Sequence, residues 1–128
     1  MIEIIIMASE IIHAYTRAQA IADGILVDVS ELAKEAGLMY PVALTRAVFE
    51  AYVKVPAGVK AQDETGRLWD ILNLLRWAAA KSEGESKILF QLYVRNNNRK
   101  AKIVTLKSVC GPGDDASPCI TVMLRNED

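Results

Sequence analysis

The sequence has few of the residues on which metal sites and many catalytic sites depend. It contains one histidine and two cysteines in 128 residues, with neither a Cys-x-x-Cys nor a His-x-x-x-His spacing. Because a structural zinc site takes four cysteine or histidine ligands, we expect no metal. A glycine-rich phosphate-binding motif and a Gly-x-Ser-x-Gly elbow are also missing. We therefore assign no catalytic residues and predict no cofactor.

Long apolar runs and a strong net charge are missing as well. Residues 1–7 are apolar except for Glu3, but the segment is far shorter than the roughly 20 residues that span a bilayer. It also lacks the basic residues of a secretory signal, so we predict a cytoplasmic protein with reduced thiols and no membrane partner. The net charge of -1 creates no overall field that would attract nucleic acid.

The composition is that of one globular domain. The chain is 52% hydrophobic and 24% charged, and half of 128 residues would be too short to bury a core of its own. We predict a single α+β domain over residues 1–128. Within it, we expect residues 1–12 to be an N-terminal extension or, alternatively, a misassigned start, with Met7 as the true first residue.

The apolar pattern changes its period along the chain. Residues 16–81 are mainly helical in their spacing, with Thr16, Ser30 and Asp63 as N-caps and Gly24 and Gly37 as left-handed helix ends. Residues 25–29 between the first two helices form a short extended apolar stretch. From residue 87 onwards, apolar and polar residues alternate in three stretches separated by turns. This pattern predicts N-terminal helices packed on a C-terminal three-stranded antiparallel meander.

The positive charge is concentrated in the first hairpin of that meander. Residues 86–110 contain six basic residues and no acidic residue, whereas the rest of the chain is acidic. Alternation places the following residues on the side opposite the apolar one: Lys87, Gln91, Tyr93, Arg95, Thr105 and Lys107. Such a face can dock an acidic protein or bind phosphates and stack a base. The alternative is a solvated face whose lysines prevent edge-to-edge aggregation.

A second candidate site is the loop 110–115, which contains the residues Cys110, Gly111, Gly113, Asp114 and Asp115. The glycines allow a sharp turn, and the aspartates offer oxygens to a cation. The alternative is a long hairpin connection whose aspartates bond their own backbone. Cys110 and His13 can form an acyl-transfer pair only if the fold brings them together. Alternation places Cys110 inward and Cys119 outward, which disfavours a disulfide.

Five phrases, taken together, carry a resemblance to a known family. They are residues 15–24 (YTRAQAIADG), 26–30 (LVDVS), 40–46 (YPVALTR), 66–70 (GRLWD) and 110–115 (CGPGDD). They resemble a family of short bacterial proteins of unknown function associated with plasmids, integrative elements and phages. The resemblance covers residues 13–128 and implies an accessory protein of mobile DNA. It implies no catalytic residues.

Three functions stay open from the sequence. The leading hypothesis is a non-catalytic binding module for a host macromolecule, in the first place a host protein. The second is a nucleic-acid-binding protein that uses the basic hairpin 86–110. The third is a small enzyme centred on Cys110 or on the Asp114/Asp115 loop. The sequence does not distinguish between oligomeric states.

Overall fold

The computed structural model describes residues 5–7, 10–12 and 15–128, the first two segments as backbone only. Strands β1 (Ile5–Met7) and β2 (Glu10–Ile12) pair antiparallel in a small sheet of their own. The two expectations for residues 1–12 stay predictions. The remaining elements, in chain order, are α1 (Arg17–Ala22), β3 (Leu26–Asp28), α2 (Ser30–Glu35), β4 (Val42–Thr45), α3 (Arg46–Val48), a π-helical turn (Phe49–Val53), α4 (Glu64–Lys81), β5 (Lys87–Val94), β6 (Lys102–Pro112) and β7 (Pro118–Leu124).

Five of the strands form one mixed sheet in the order β3-β4-β7-β6-β5. Strands β5, β6 and β7 are antiparallel neighbours, as the alternation predicts. However, β7 also pairs parallel with β4, which pairs antiparallel with β3. The α+β class is confirmed, but the prediction of a three-stranded antiparallel meander is wrong. The reason is that β4 is four residues long and its first three residues are fully buried, so no alternation marks it as a strand.

Side-chain caps fix where two of the helices begin. The Thr16 hydroxyl accepts the Gln19 backbone N–H at 3.0 Å, and the Gln19 side chain accepts the Thr16 backbone N–H at 2.8 Å. This reciprocal capping box starts α1 at the predicted place. The Asp63 carboxylate accepts the Gly66 N–H at 2.6 Å and so caps α4. These two predicted caps are confirmed, whereas the predicted cap Ser30 is the first residue of α2, and Val29 precedes it without a side-chain cap.

The hydrophobic core lies on one side of the sheet, beneath α2, the π-helical turn and α4. Fully buried side chains from α4 meet fully buried side chains from the central strands. The largest of them are Leu44, Ile71, Leu72, Leu75 and Leu106. Burying a side chain of this size stabilises the fold by about 1.5–3 kcal/mol, so α4 is the main support of the sheet.

Helix α1 covers part of the other side of the sheet. The Arg17 guanidinium donates to the Thr121 hydroxyl and to the Ile120 carbonyl, each at 2.7 Å. The neighbouring side chains Cys119 and Met123 are buried. The centre of the sheet is therefore covered on both sides, whereas the side chains on the same side of β5 are exposed.

Candidate interaction surface

The side of β5 and β6 that faces away from the core is called the outer face. The strand register places on it Lys87, Leu89, Gln91 and Tyr93 from β5 and Ile103, Thr105, Lys107 and Val109 from β6. A hydrogen bond of 3.1 Å from the Gln91 amide to the Thr105 hydroxyl crosses its middle. Since these strands alternate as expected, Lys87, Gln91, Tyr93, Thr105 and Lys107 lie together as predicted.

Large apolar side chains lie at both ends of the outer face. Tyr93 is 69% exposed and lies directly opposite Ile103, which is 53% exposed. Leu89 is 52% exposed and lies opposite Lys107. The sequence reading omitted Leu89 and Ile103, although alternation from Tyr93 and Lys107 gives them the same orientation. The outer face is thus more apolar than a list of its charges suggests.

Arg95 does not belong to the outer face. Strand β5 ends at Val94, so the alternation no longer applies one residue further on. The Arg95 guanidinium donates to the carbonyls of Lys60 at 2.5 Å and Asn97 at 2.7 Å. Arg95 is therefore not part of the predicted site. Its guanidinium instead binds backbone carbonyls in the loop before α4 and in the turn after β5.

The cations of the hairpin have no carboxylate partners among the residues whose side chains are described. There, the ion pairs join Glu50 to Arg46 and Lys54, far from β5 and β6 in the sequence. Lys107 is half-buried and donates to the backbone carbonyl of Glu127, while Lys87 is exposed. Among the acidic side chains of residues 15–128, none consequently neutralises the positive charge of residues 86–110 through an ion pair.

A groove of about 800 Å³ lies beside the C-terminal half of β5. It is lined by residues of β5 and by the first turns of α4, including Asp63, Arg67, Asp70, Leu92 and Val94. Its volume is within the range of protein binding pockets, roughly 300–1,000 Å³. The open part of the outer face and this groove meet at Tyr93, which contributes to both.

Arg67 is a buried arginine at the wall of this groove, and sequence reasoning gave it no role. It is 6% exposed and donates to the Tyr52 carbonyl at 2.9 Å and to the Asn96 amide oxygen at 2.5 Å. Another of its nitrogens donates to the Gln62 side chain and to the Arg95 carbonyl. Burial and then the Arg95 charge lower the pKa of Arg67 from its ordinary value. Its guanidinium joins α4 to the π-helical turn and to the end of β5.

Of the predicted loop 110–115, residues 110–112 belong to β6, and the turn that follows them is held by structural contacts. Asp114 accepts the backbone N–H groups of Arg17 at 2.9 Å and Ala18 at 3.0 Å, so it joins the loop to the start of α1. Asp115 accepts the Ser117 backbone N–H at 3.1 Å. Neither Gly111 nor Gly113 has a positive φ. The left-handed residue of this turn is instead Ala116, at φ +70°. The contacts agree with the alternative of a long hairpin connection.

The cysteine chemistry of the third hypothesis finds little support. Cys110 is half-buried against the core, and burial followed by the nearby Cys119 raises the pKa of its thiol, which keeps it protonated. Both cysteines are free, as the alternation predicts. The proposed partner His13 lies outside the described residues. Within the described part of the chain, no three His, Cys, Asp or Glu residues are placed to hold a metal ion.

We predict that Asp114→Asn weakens the fold at neutral pH and flattens its acid dependence. The N–H groups of Arg17 and then of Ala18 lower the pKa of Asp114 from its ordinary 3.8. A depressed carboxyl pKa stabilises the folded state above pH 3.8, and this contribution is lost as the pH falls through the folded pKa. Urea midpoints measured between pH 7 and pH 2 test the prediction. Asp115→Asn, which removes the same charge from the same loop, is the control; equal acid dependence in the two variants would contradict it.

The comparisons with known proteins identify a family for the chain. A family model described as "Family of unknown function (DUF6573)" matches residues 2–128, so the chain belongs to that family. The match also includes the residues before Ile12, which the five phrases had left outside the resemblance. Comparison with curated proteins found no match, and comparison with solved structures found none either. Among the described helices, none has both the length and the apolar character needed to cross a bilayer.

Proposed function

We propose that this chain is a non-catalytic binding protein whose outer face holds an acidic surface of a partner protein. The observation that carries the proposal is the exposure of Leu89, Tyr93 and Ile103 on one side of one hairpin. Single exposed apolar residues are ordinary, but several on one rigid strand pair are typical of an interaction site. Tyrosine is also among the residues that contribute most to binding in protein interfaces.

The sign of the surrounding charge selects the partner. The hairpin carries six basic residues, and among the described residues none of them forms an ion pair with a carboxylate. An acidic partner would supply the missing counter-charges, which speeds encounter and excludes basic proteins. Apolar contacts at the two ends of the outer face would then provide most of the affinity.

Binding to nucleic acid is the second candidate, and the charge distribution favours it less. Phosphate binding requires several cations along one surface. The outer face itself has Lys87 and Lys107, and Lys107 is already bonded to the Glu127 carbonyl. Arg95, which the sequence assigned to this surface, is directed towards Lys60 and Asn97. Exposed Tyr93 is the feature that would stack a base.

The biological setting is part of the proposal. The five phrases resemble proteins carried by plasmids, integrative elements and phages, which supports an accessory role in mobile DNA and a partner of host origin. A cytoplasmic location agrees with the two free thiols. An enzyme centred on Cys110 or on Asp114 is the weakest reading, because both aspartates of that loop have structural roles.

The test compares capture of proteins from bacterial lysate by the wild-type chain and by a Tyr93→Ser, Ile103→Ser variant. The wild-type chain should retain a protein with an acidic surface, and retention should decrease as salt rises. The variant should lose at least tenfold in affinity for the purified partner, because two interface anchors each contribute about 1 kcal/mol or more.

Trp77→Ser is the matched control, because Trp77 is an exposed aromatic residue on α4, 62% exposed. It should bind the partner as the wild-type chain does. Equal binding by the Tyr93→Ser, Ile103→Ser variant would refute the proposal, and so would the absence of any captured protein. Salt-sensitive binding of a labelled single-stranded oligonucleotide, lost in the same variant, would establish the nucleic-acid alternative in its place.

A further inference from the structure

Strand β5 is an edge strand of the main sheet. It is eight residues long, and among the described strands its one neighbour is β6. The opposite edge strand, β3, has three residues. Long edge strands are uncommon because their free backbone groups attract other chains, and proteins shield them with prolines, bulges or charges. Between Ile88 and Val94, β5 contains no proline, glycine or charged residue.

The register shows which backbone groups of β5 point away from the sheet. The Cys110 N–H donates to the Ser86 carbonyl at 2.7 Å, and this pair continues the β5–β6 register one position beyond Lys87 and Val109. Hydrogen-bonded and non-hydrogen-bonded pairs alternate in an antiparallel ladder. The N–H and C=O groups of Leu89, Gln91 and Tyr93 are therefore directed towards the free edge.

From this geometry we infer that an extended, acidic segment of the partner adds to β5 as a sixth strand. The inference rests on the proposed function and specifies how the partner is recognised. Backbone bonds to Leu89, Gln91 and Tyr93 would hold the segment, as in other cases of strand addition. One set of its alternating side chains would extend the outer face, and the other set would enter the groove beside Arg67.

A second copy of this chain is a poorer occupant of the edge. Antiparallel pairing of β5 with itself would bring two hairpins together, each with six basic residues and no acidic one. It would place Lys87 of one copy near the Arg95 end of the other. Like charges across paired strands are destabilising, whereas carboxylates there would be attracted. The charge of the hairpin thus favours an acidic strand.

The probe is a capped eight-residue peptide in which glutamate alternates with valine and threonine, titrated into the labelled full chain and followed by NMR. We expect amide hydrogen exchange at Leu89, Gln91 and Tyr93 to slow at least fivefold, with contacts between peptide and β5 backbone protons. The same peptide with lysine in place of glutamate should bind at least tenfold more weakly. No slowing, or equal binding of both peptides, would overturn the inference, as would concentration-dependent dimerisation through β5.

Gln91→Pro and Gln91→Ala form the matched pair of variants. Both remove the Gln91 side chain and its bond to Thr105, but only proline removes the outward N–H, at a position where no backbone bond to β6 is lost. Gln91→Pro should weaken peptide binding at least tenfold and Gln91→Ala at most about twofold. If the proline variant does not fold, the contacts between the peptide and the β5 backbone of the wild-type chain test strand addition.

The same variants separate this inference from the proposed function. If Gln91→Pro retains the captured partner while Tyr93→Ser, Ile103→Ser loses it, strand addition is wrong and the proposed function stands. If both retain the partner, both ideas are wrong.

Discussion

A chain with Arg67→Met should have a free energy of unfolding lower by about 3 kcal/mol. The substitution removes the Arg67 donors from the half-buried Tyr52 carbonyl and Gln62 side chain, at a site where Arg67 is 6% exposed. The exposed Asn96 amide oxygen also loses its bond to Arg67, whereas the Arg95 carbonyl keeps the Gln62 amide as a donor. A buried acceptor without a partner costs about 1–3 kcal/mol, and removing the buried charge recovers part of the total. Urea denaturation followed by circular dichroism measures the change.

Arg76→Met on the same helix is the matched control, because Arg76 is exposed. It should change the free energy of unfolding by no more than about 0.5 kcal/mol. Arg67→Lys should remain about 2 kcal/mol less stable than the wild type, since an ammonium group cannot reach the acceptors that the guanidinium fork joins. A loss below about 1 kcal/mol for Arg67→Met would contradict the role given to this residue.

Leu72→Ala should also lower the free energy of unfolding by about 3 kcal/mol. Leu72 lies in α4, is fully buried and packs within the core between α4 and the sheet. Leucine-to-alanine changes at such positions cost about 2–5 kcal/mol, from lost apolar burial and from the cavity left behind. Thermal and urea unfolding should report the same loss.

Leu74→Ala provides the comparison, because Leu74 is two residues away on the same helix but is 39% exposed. Its cost should be below about 1 kcal/mol, since far less apolar surface is uncovered. If both leucines cost the same, the placement of α4 on the sheet is wrong.

The parts of the fold that the sequence predicts are those determined by local patterns. Thr16 and Asp63 start helices because their side chains bond to N–H groups three residues further on. Strand β5 has a core side and a solvent side, so its residues alternate visibly. Strand β4 could not be found in this way, because it is buried on both sides and its partner β7 lies more than 70 residues later.

The candidate surface was predictable in part for the same reason. The outward orientation of Tyr93 and Lys87 follows from alternation. The same alternation places Leu89 outward, but a leucine is not expected on the solvent side of a strand. Arg95 lies just beyond the end of β5, where the alternation stops. Arg67 could not be found because charged residues are seldom buried and its acceptors come from residues distant in the sequence.

The position of β7 determines when the domain can be completed during its synthesis. Of the described strands, β7 alone connects β3 and β4 to β5 and β6, and it is the last of them to be translated. Until residues 118–124 leave the ribosome, Leu44 and its neighbours have no partner strand on that side. The nascent chain must therefore hold apolar side chains in an unfinished state, where chaperones can reach them, until β7 emerges.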